Sequence, residues 1–158
     1  MQKITPFLWF DNNAEEAINL YTSIFKDSKI GGISRYDKSF PDKAGQVMTA
    51  TFHLFGQEFL ALNGGPLFQF TEAISFLVHC EDQQEVDYYW QKLTEGGKES
   101  QCGWLKDKFG LSWQIIPRAL TEMLADKDPA KAHRVMQAML RMKKIEIAGL
   151  EQARDQSS

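Results

Sequence analysis

Short apolar runs, each about the length of a β-strand, alternate along the chain with two stretches of helical spacing. Residues 4–10 (ITPFLWF) read as a strand, and residues 13–25 repeat apolar side chains every three or four positions, which predicts an amphipathic helix. Strands are expected at residues 29–36 and twice within residues 46–65, where Gly56 marks a tight turn. The first half of the chain therefore predicts the order strand, helix and three strands.

Periodicity also assigns faces within these elements. Within residues 47–54 the even-numbered side chains are expected on one face of the strand and the odd-numbered ones on the other. Asn12 or Asn13 is expected to begin the first helix. The apolar face of that helix is expected to consist of Ala14, Ala17, Ile18, Tyr21, Ile24 and Phe25.

The same order returns in the second half. Residues 74–80 (ISFLVHC) read as a strand, and residues 82–97 read as a helix that stops at Gly96 and Gly97. The apolar face of this helix is expected to consist of Val86, Tyr89, Trp90 and Leu93. Three further strands are expected near residues 98–101, 102–107 and 110–117, with the sequence DKFG as the last turn.

An internal repeat links the two halves. When each residue is placed beside the one 69 positions later, Phe7 falls on Phe76 and Tyr21 on Trp90. A chance match over so few identities is the alternative, but the shared order of elements is the stronger evidence. We interpret the chain as two copies of one βαβββ unit.

Beyond Pro117 the pattern changes to helix. Pro129, which follows Asp128, suits the first turn of a helix that we expect to continue through residues 130–150. Its apolar face would consist of Val135, Met136, Met139, Leu140 and Met142. That face either docks on its own chain or forms a dimer contact through methionine side chains. Residues 151–158 read as a frayed tail.

Composition favours a single globular domain. The chain has 158 residues, of which 43% are hydrophobic and 25% are charged, enough for one ordinary core. We expect one domain over residues 1–158. It would consist of module one (1–66), module two (67–118), C-terminal helices (119–150) and the tail (151–158).

Charge and cysteine content narrow the function classes. The formal net charge is −3 with acidic and basic residues interleaved, so no basic stripe indicates a nucleic acid partner. Neither a secretory leader nor a membrane span is expected, which predicts a cytoplasmic protein. Two cysteines far apart, Cys80 and Cys102, provide neither a disulfide framework nor a structural zinc site.

The order of elements and the amino-acid sequences of three segments resemble those of a known superfamily. Two βαβββ units, with an Asp-containing turn and Gly110 before the last strand, resemble the vicinal oxygen chelate superfamily of glyoxalases, extradiol dioxygenases and bleomycin-resistance proteins. Residues 6–25, 55–93 and 102–117 resemble one branch of it, the PhnB-like proteins often labelled demethylubiquinone 3-methyltransferases. The resemblance covers about residues 4–150. It implies an α+β glyoxalase fold in which tandem modules form a cupped half-barrel sheet with the helices outside.

The resemblance also implies four positions for metal ligands. Members of the superfamily commonly hold a divalent metal with His, Glu or Gln from the first and last strands of each module. The corresponding positions here are Pro6, either Leu60 or Ala61, Ser75 and Gln114. A neutral amide without three other ligands does not hold a divalent ion, so the sequence predicts no metal and no other cofactor.

Gln114 is the first candidate for binding a small molecule. Its amide lies in the apolar run GLSWQIIP and is expected either to hydrogen-bond a ligand or to tie down a neighbouring strand's backbone. Alternation places Ser75 and His79 on the same face as Gln114. Asn63 is expected to reach the cavity from the LNGG turn, and Trp104 to line an apolar part of the site.

Other reactive side chains have weaker cases. His79 is either an acid or base at the cavity rim or an ordinary surface residue. The case for His53 is similar and that for His133 is weaker, and a metal held by His53 and His79 would lack a third ligand. Cys102 is expected to be an unreactive thiol rather than a nucleophile.

The sequence thus favours a protein that binds or sequesters a small molecule without a metal, as bleomycin-resistance relatives do. The alternative is a small-molecule enzyme of the same superfamily. A methyltransferase, as in the family label, is a third interpretation, but the first strand is followed by FDNNAEE rather than a Gly-rich turn. By analogy with the superfamily we expect a homodimer, since half-barrels can complete each other across subunits.

Overall fold

The computed structural model describes residues 2–156 and confirms an α+β fold with two βαβββ modules followed by helices. The first module contains β1 (Phe7–Phe10), α1 (Ala14–Ile24), β2 (Lys29–Arg35), β3 (Val47–Leu54) and β4 (Gln57–Asn63). The second module contains β5 (Ser75–Cys80), α2 (Gln83–Thr94), β6 (Lys98–Glu99), β7 (Trp104–Lys106) and β8 (Ser112–Pro117). The C-terminal helices are α3 (Arg118–Leu124), α4 (Pro129–Met139) and α5 (Ile147–Asp155).

Each module has its own open, mixed sheet of four strands. The strand orders are β1-β4-β3-β2 and β5-β8-β7-β6. In both modules the first strand pairs parallel with the last strand, whereas the other pairs are antiparallel. The chain divides into two compact units, residues 2–70 and residues 71–156, and each unit holds one sheet.

Helix α1 packs the predicted apolar face onto the first sheet. All six of its predicted core side chains are buried: Ala14, Ala17, Ile18, Tyr21, Ile24 and Phe25. The helix begins after Asn13, but the side chain of Asn13 makes no capping hydrogen bond. Instead, Asn63 at the end of β4 accepts a hydrogen bond from the Ala14 backbone N–H through its Oδ1 atom, at 2.9 Å. The start of α1 is therefore capped by a residue 49 positions further along the chain.

A β-bulge in β3 corrects the predicted alternation. Ala50, Phe52 and Leu54 share one buried face as expected, but Met48 is exposed and Val47 is buried. Ser34 of β2 pairs with Thr49, whereas the next residue, Arg35, pairs with Val47. Met48 is thus the extra residue of a bulge, and the two sides of the strand exchange faces there.

Helix α2 covers one face of the second sheet. Asp82 caps its N-terminus by accepting a hydrogen bond from the Glu85 backbone N–H. The predicted face of Val86, Tyr89, Trp90 and Leu93 is buried, as expected. The Trp90 indole N–H donates to the Glu99 carboxylate at 2.8 Å and so ties the helix to β6.

One buried carboxylate organises the turn between β7 and β8. Asp107 accepts hydrogen bonds from the backbone N–H groups of Phe109 and Leu111 at 2.8 and 3.1 Å. Its second oxygen accepts a hydrogen bond from the Trp113 indole N–H at 2.9 Å. Asp107 therefore fixes both the backbone of the turn and the orientation of a core tryptophan.

The predicted C-terminal helix over residues 130–150 is wrong as a single element, because the chain leaves the helix after Met139 and re-enters it at Ile147. The carbonyl groups of Met142 and Lys143 in this break accept hydrogen bonds from the backbone N–H groups of Cys102 and Gly103. Tertiary hydrogen bonds replace the helical ones there. Ile145 lies in this break and is buried in a C-terminal core. The core consists of Ile116, Leu120, Met123, Val135, Ile145 and Leu150.

The apolar face of α4 docks on its own chain in part. Val135 is fully buried in the C-terminal core, and Met139 and Met142 pack against it. Met136 and Leu140, by contrast, are exposed. Of the two interpretations of this face, docking on the same chain describes Val135, Met139 and Met142.

The end of the chain differs from the frayed tail that was predicted. Helix α5 continues to Asp155, and the Arg134 guanidinium donates hydrogen bonds to the carbonyl groups of Ala153 and Arg154. Residues 157 and 158 of the predicted tail lie outside the described residues. Within residues 2–156, no helix combines the length and the apolar character that crossing a membrane requires.

Candidate functional site

The face of the second sheet that lies opposite α2, called the open face below, contains most of the predicted site residues. In β5, Val78 and Cys80 are buried on the α2 side. Alternation then places Ser75, Leu77 and His79 on the open face, where they pair in register with Ser112, Gln114 and Ile116 of β8. The predicted sharing of one face by Ser75, His79 and Gln114 follows from this register.

The amide of Gln114 makes a polar pair with Ser75. Its Nε2 atom donates a hydrogen bond to the Ser75 hydroxyl at 2.9 Å. The partner is thus a side chain of the neighbouring strand and not its backbone. The carboxamide oxygen of Gln114 has no hydrogen-bond partner within the described part of the chain. The pair therefore presents an acceptor at a half-buried point of the open face.

Apolar side chains flank this polar pair. Trp104 of β7 lies directly opposite Gln114 in register and is half-buried, and Leu77 lies opposite it on the β5 side. The Leu77 side chain is 43% exposed although it is apolar. A polar centre between an aromatic and an aliphatic side chain suits a small, partly apolar molecule.

His79 lies at the end of β5 and is exposed to solvent. It pairs in register with Ile116, two positions beyond Gln114 on β8, which corresponds to about 7 Å along the strand. It borders a shallow surface groove beside Arg118, whose guanidinium pairs with the carboxylates of Glu81 and Glu122.

Asn63 belongs to the other module. It is only 2% exposed, and its side-chain oxygen caps α1 in the way described above. Its side chain shares the buried face of β4 with Phe59 and Ala61. The contact that the structure gives this side chain is a helix cap.

The two modules match with one offset in their helices and another in their strands. The buried side chains Ala17 of α1 and Val86 of α2 lie 69 positions apart, as the repeat predicted. In the first strands, buried Leu8 corresponds to buried Val78, 70 positions later. The connection from strand to helix is one residue shorter in the second module, since α1 starts four residues after Phe10 and α2 three residues after Cys80.

This difference corrects one of the positions at which relatives hold a metal. By strand offset the counterpart of Ser75 is Thr5, whereas Pro6 falls on the buried side with Leu8. The counterpart of Gln114 is Leu60, because Ala61 faces the buried side of its sheet.

The side chains at these four positions do not fit a divalent metal. Leu60 has no donor atom, and the Thr5 hydroxyl lies 3.4 Å from a carboxylate oxygen of Glu58. In the second module the Ser75 hydroxyl accepts a hydrogen bond from Gln114, and hydroxyl and amide groups are poor ligands for zinc, nickel or iron. Among residues 2–156 no three His, Cys, Asp or Glu side chains lie together as a metal site requires.

Outside the open face, the Cys80 thiol lacks the setting of a nucleophile. Burial raises the pKa of the Cys80 thiol to about 12, and the nearby carboxylates of Glu85 and Asp82 act in the same direction. Cys102 is half-buried. His53 in the first module lies 3.8 Å from the Glu58 carboxylate through its Nε2 atom, and its Nδ1 atom is buried with no partner in the described chain.

Sequence reasoning missed Ser112. Its side chain is fully buried on the open face, and its hydroxyl has no hydrogen-bond partner in the described chain. It borders a cavity of about 180 Å³ together with Trp104, Lys98 and Lys106. The signal was present, because Ser112 is a second polar residue in the apolar run that contains Gln114.

Comparison with known families gives one match over most of the chain. Residues 2–116 match the family described as 3-demethylubiquinone-9 3-methyltransferase. No curated protein sequence matches the chain significantly.

Solved structures give related folds. A protein from Bacillus cereus described as 3-demethylubiquinone-9 3-methyltransferase, PhnB protein, is 44% identical, with a TM-score of 0.70, over 73% of this chain and 99% of that one. Protein PA1353 from Pseudomonas aeruginosa is 18% identical, with a TM-score of 0.61, over 74% of this chain and 98% of that one. The fosfomycin resistance protein FosX from Listeria monocytogenes is 17% identical, with a TM-score of 0.56, over 79% and 98%. The last two likenesses concern the fold alone.

Proposed function

The chain belongs to the 3-demethylubiquinone-9 3-methyltransferase (PhnB-like) family of the vicinal oxygen chelate superfamily, and from this premise we propose that it binds a small molecule on its open face. The proposed role is binding or sequestration without a metal. Gln114 and Ser75 would make the polar contacts and Trp104 an apolar one, with His79 at the rim. Asn63 is not included in the proposed set of contacts, because its side-chain oxygen already caps α1.

The observation that carries the proposal is the geometry around Gln114. Its carboxamide is fixed by the 2.9 Å hydrogen bond to Ser75, so the direction of its oxygen is determined before a ligand arrives. The apolar side chains Trp104 and Leu77 lie on either side of it in register. A few fixed polar groups within an apolar surface are typical of small-molecule sites.

Binding is favoured over catalysis by the side chains near this pair. The Cys80 thiol of the neighbouring strand β5 faces the other side of the sheet with a pKa of about 12 and is thus protonated at neutral pH. General acid and base chemistry requires titratable groups within hydrogen-bond reach of the reacting atoms. Gln114 and Ser75 are neutral and do not titrate in the physiological range.

The test uses protein purified without chelator. Native mass spectrometry, followed by analysis of the released small molecules, is expected to find a ligand that wild type retains and Gln114→Leu loses. Gln91→Leu, a matched change at an exposed position of α2, should retain it. Equal retention by Gln114→Leu and wild type would refute the role of Gln114, and stoichiometric nickel, zinc or iron would refute the metal-free site.

Two enzymatic functions are alternatives to binding, and one observation supports each of them. His79 is exposed on the same face as Gln114, so a superfamily enzyme could use it as an acid or base. This alternative predicts that wild type converts the released ligand and His79→Asn does not. The family description favours a methyltransferase, which predicts a thermal shift with adenosylmethionine.

We also propose a homodimer. Apolar side chains of both sheets, Phe7 and Leu77, remain exposed in the single chain, and burying them against a second copy would be favourable. Size-exclusion chromatography with light scattering should give twice the chain mass of 18.1 kDa. An 18.1 kDa species at micromolar concentration would count against the dimer.

A further inference from the structure

The cavity beside the Gln114 site has a polar character of its own. It measures about 180 Å³ and lies within the second module, bordered by Lys98, Lys106, Trp104, Ser112 and Glu72. Trp104 is shared with the proposed binding site, and Ser112 lies next but one to Gln114 on β8. The cavity therefore continues the open face rather than forming a separate site.

Ser112 contributes a hydroxyl group without a protein partner. Its side chain is 0% exposed, and its Oγ atom has no hydrogen-bond partner in residues 2–156. Buried polar groups in folded proteins nearly always have a partner, so an unpaired one calls for a physical reason. A ligand oxygen that accepts a hydrogen bond from this hydroxyl is such a reason.

Two lysines on neighbouring strands border the same cavity. Lys98 of β6 and Lys106 of β7 are directly opposite in register, an arrangement that destabilises a sheet when both side chains are charged. Lys106 forms an ion pair with Glu72, and this hydrogen bond holds the pKa of Glu72 below its usual value. Glu99 also borders the cavity, but its carboxylate accepts from the Trp90 indole on the α2 side.

We propose that this cavity binds an anionic oxygen group of the ligand, such as a carboxylate, phosphate or phosphonate. The Lys98 and Lys106 ammonium groups and the Ser112 hydroxyl donate hydrogen bonds to the anion. Without the anion, the Glu72 carboxylate pairs with the Lys106 ammonium group, and the bound anion displaces this carboxylate. This inference rests on the proposed function, since it assigns a charge class to the ligand of the same face.

A titration with inorganic phosphate tests the subsite directly. At constant ionic strength, adjusted with sodium chloride, the backbone amide NMR signals of Ser112 and Lys106 should shift saturably in the wild-type protein. Ser112→Ala should weaken phosphate binding about fivefold, yet leave the free energy of unfolding no lower, because the hydroxyl has no partner to lose. A structural role for Ser112 would give the opposite pattern.

Charge variants separate this site from general attraction. Lys98→Gln and Lys106→Gln should each weaken phosphate binding about tenfold. Lys92→Gln, which removes the same charge from an exposed position of α2, should leave it unchanged. Glu72→Gln should strengthen binding several-fold because it removes the competing carboxylate. Equal weakening by Lys92→Gln and Lys106→Gln, or unaltered binding by Ser112→Ala, would overturn the proposal.

A second arm distinguishes failure of the subsite from failure of the proposed function. Gln114→Leu should lose the co-purified ligand but still bind phosphate, which reaches only the lysine end of the open face. If phosphate does not bind while ligand retention still depends on Gln114, the anionic subsite alone is refuted. If phosphate binds as expected while retention does not depend on Gln114, the proposed role of Gln114 is refuted and the subsite is supported.

Discussion

Replacing Asp107 tests whether its carboxylate holds the β7–β8 turn and the Trp113 indole together. Asp107→Ala removes the acceptor of three N–H groups, those of Phe109, Leu111 and the Trp113 indole. The Phe109 hydrogen bond is only partly buried, so water can replace it. The other two are buried, and each donor left without a partner costs about 1–3 kcal/mol.

The expected loss of stability is therefore about 4 kcal/mol for the two buried donors. For a chain of this size, a loss of 1 kcal/mol lowers the melting temperature by about 2–4 °C, so Asp107→Ala should melt about 10 °C below wild type. Asp107→Asn should cost about 2 kcal/mol, since one side of the amide keeps an acceptor and the other presents an N–H group to its partner.

Urea unfolding followed by circular dichroism measures these losses. Asp37→Ala is a matched control, because Asp37 accepts from the Ser39 backbone N–H in an exposed turn. It should cost less than about 1 kcal/mol. In a Trp113→Phe background the cost of Asp107→Asn should fall by about 1 kcal/mol, because the indole donor is gone. An Asp107→Ala protein within 1 kcal/mol of wild type, or an additive cycle, would refute the reasoning.

Three further predictions concern a cap, a close backbone contact and a thiol. Asn63→Ala should lower the free energy of unfolding by about 1–2 kcal/mol, because the Ala14 backbone N–H loses its acceptor. Asn13→Ala should change it by less than about 0.5 kcal/mol, and equal effects of the two variants in urea unfolding would contradict the assignment of the cap. Gly97→Ala should lower the free energy of unfolding by about 3 kcal/mol, since a Cβ atom there would lie 2.2 Å from the Lys106 carbonyl oxygen. Gly32→Ala should lower it little, because a Cβ atom there has nothing within 4 Å, and comparable melting temperatures of the two variants would be inconsistent with the contact at Gly97. Ellman's reagent at pH 8 should titrate one thiol of the folded protein, that of Cys102, because burial raises the pKa of Cys80 to about 12. In Cys102→Ser the reagent should titrate no thiol until urea is added, and rapid reaction of the folded variant would disprove the burial of Cys80.

Helical periodicity and strand-length apolar runs predicted most of the architecture, because most helices and strands of both modules follow the spacing of apolar residues in their own sequence. The buried faces of α1 and α2 were predicted residue by residue, since an amphipathic helix carries its burial pattern in the spacing of its apolar side chains. The order of elements in both modules followed from the same patterns.

The errors lie where distant contacts override local pattern. Apolar and polar residues alternate in sequence from Met48 to Leu54, yet pairing with β2 places a bulge at Met48. The helical spacing beyond Met139 continues in sequence, but backbone hydrogen bonds from Cys102 and Gly103 end the helix there. Neither partner is near in sequence, so no local pattern indicates it.

The candidate site was predictable in part. Gln114 was identified because a polar residue within an apolar strand is conspicuous, and its face followed from alternation. The hydrogen bond between Asn63 and Ala14 could not be predicted from the sequence, since the two residues are 49 positions apart and meet only in the folded module. Ser112 stands in the same apolar run, but its burial and its lack of a partner become evident only from the fold.

The parallel pairing of the first strand of each module with the last has a consequence for synthesis on the ribosome. β1 and β5 emerge first in their modules but lie at a sheet edge, and within residues 2–156 they pair only with β4 and β8, the last strands of the modules to be translated. Neither sheet can be completed during vectorial elongation until its final strand has left the exit tunnel, whereas the hairpin of β3 and β4 needs only its short turn. A nascent chain that stalls before Ser112 would therefore hold β5 without a partner and expose Phe76 and Val78 to chaperones.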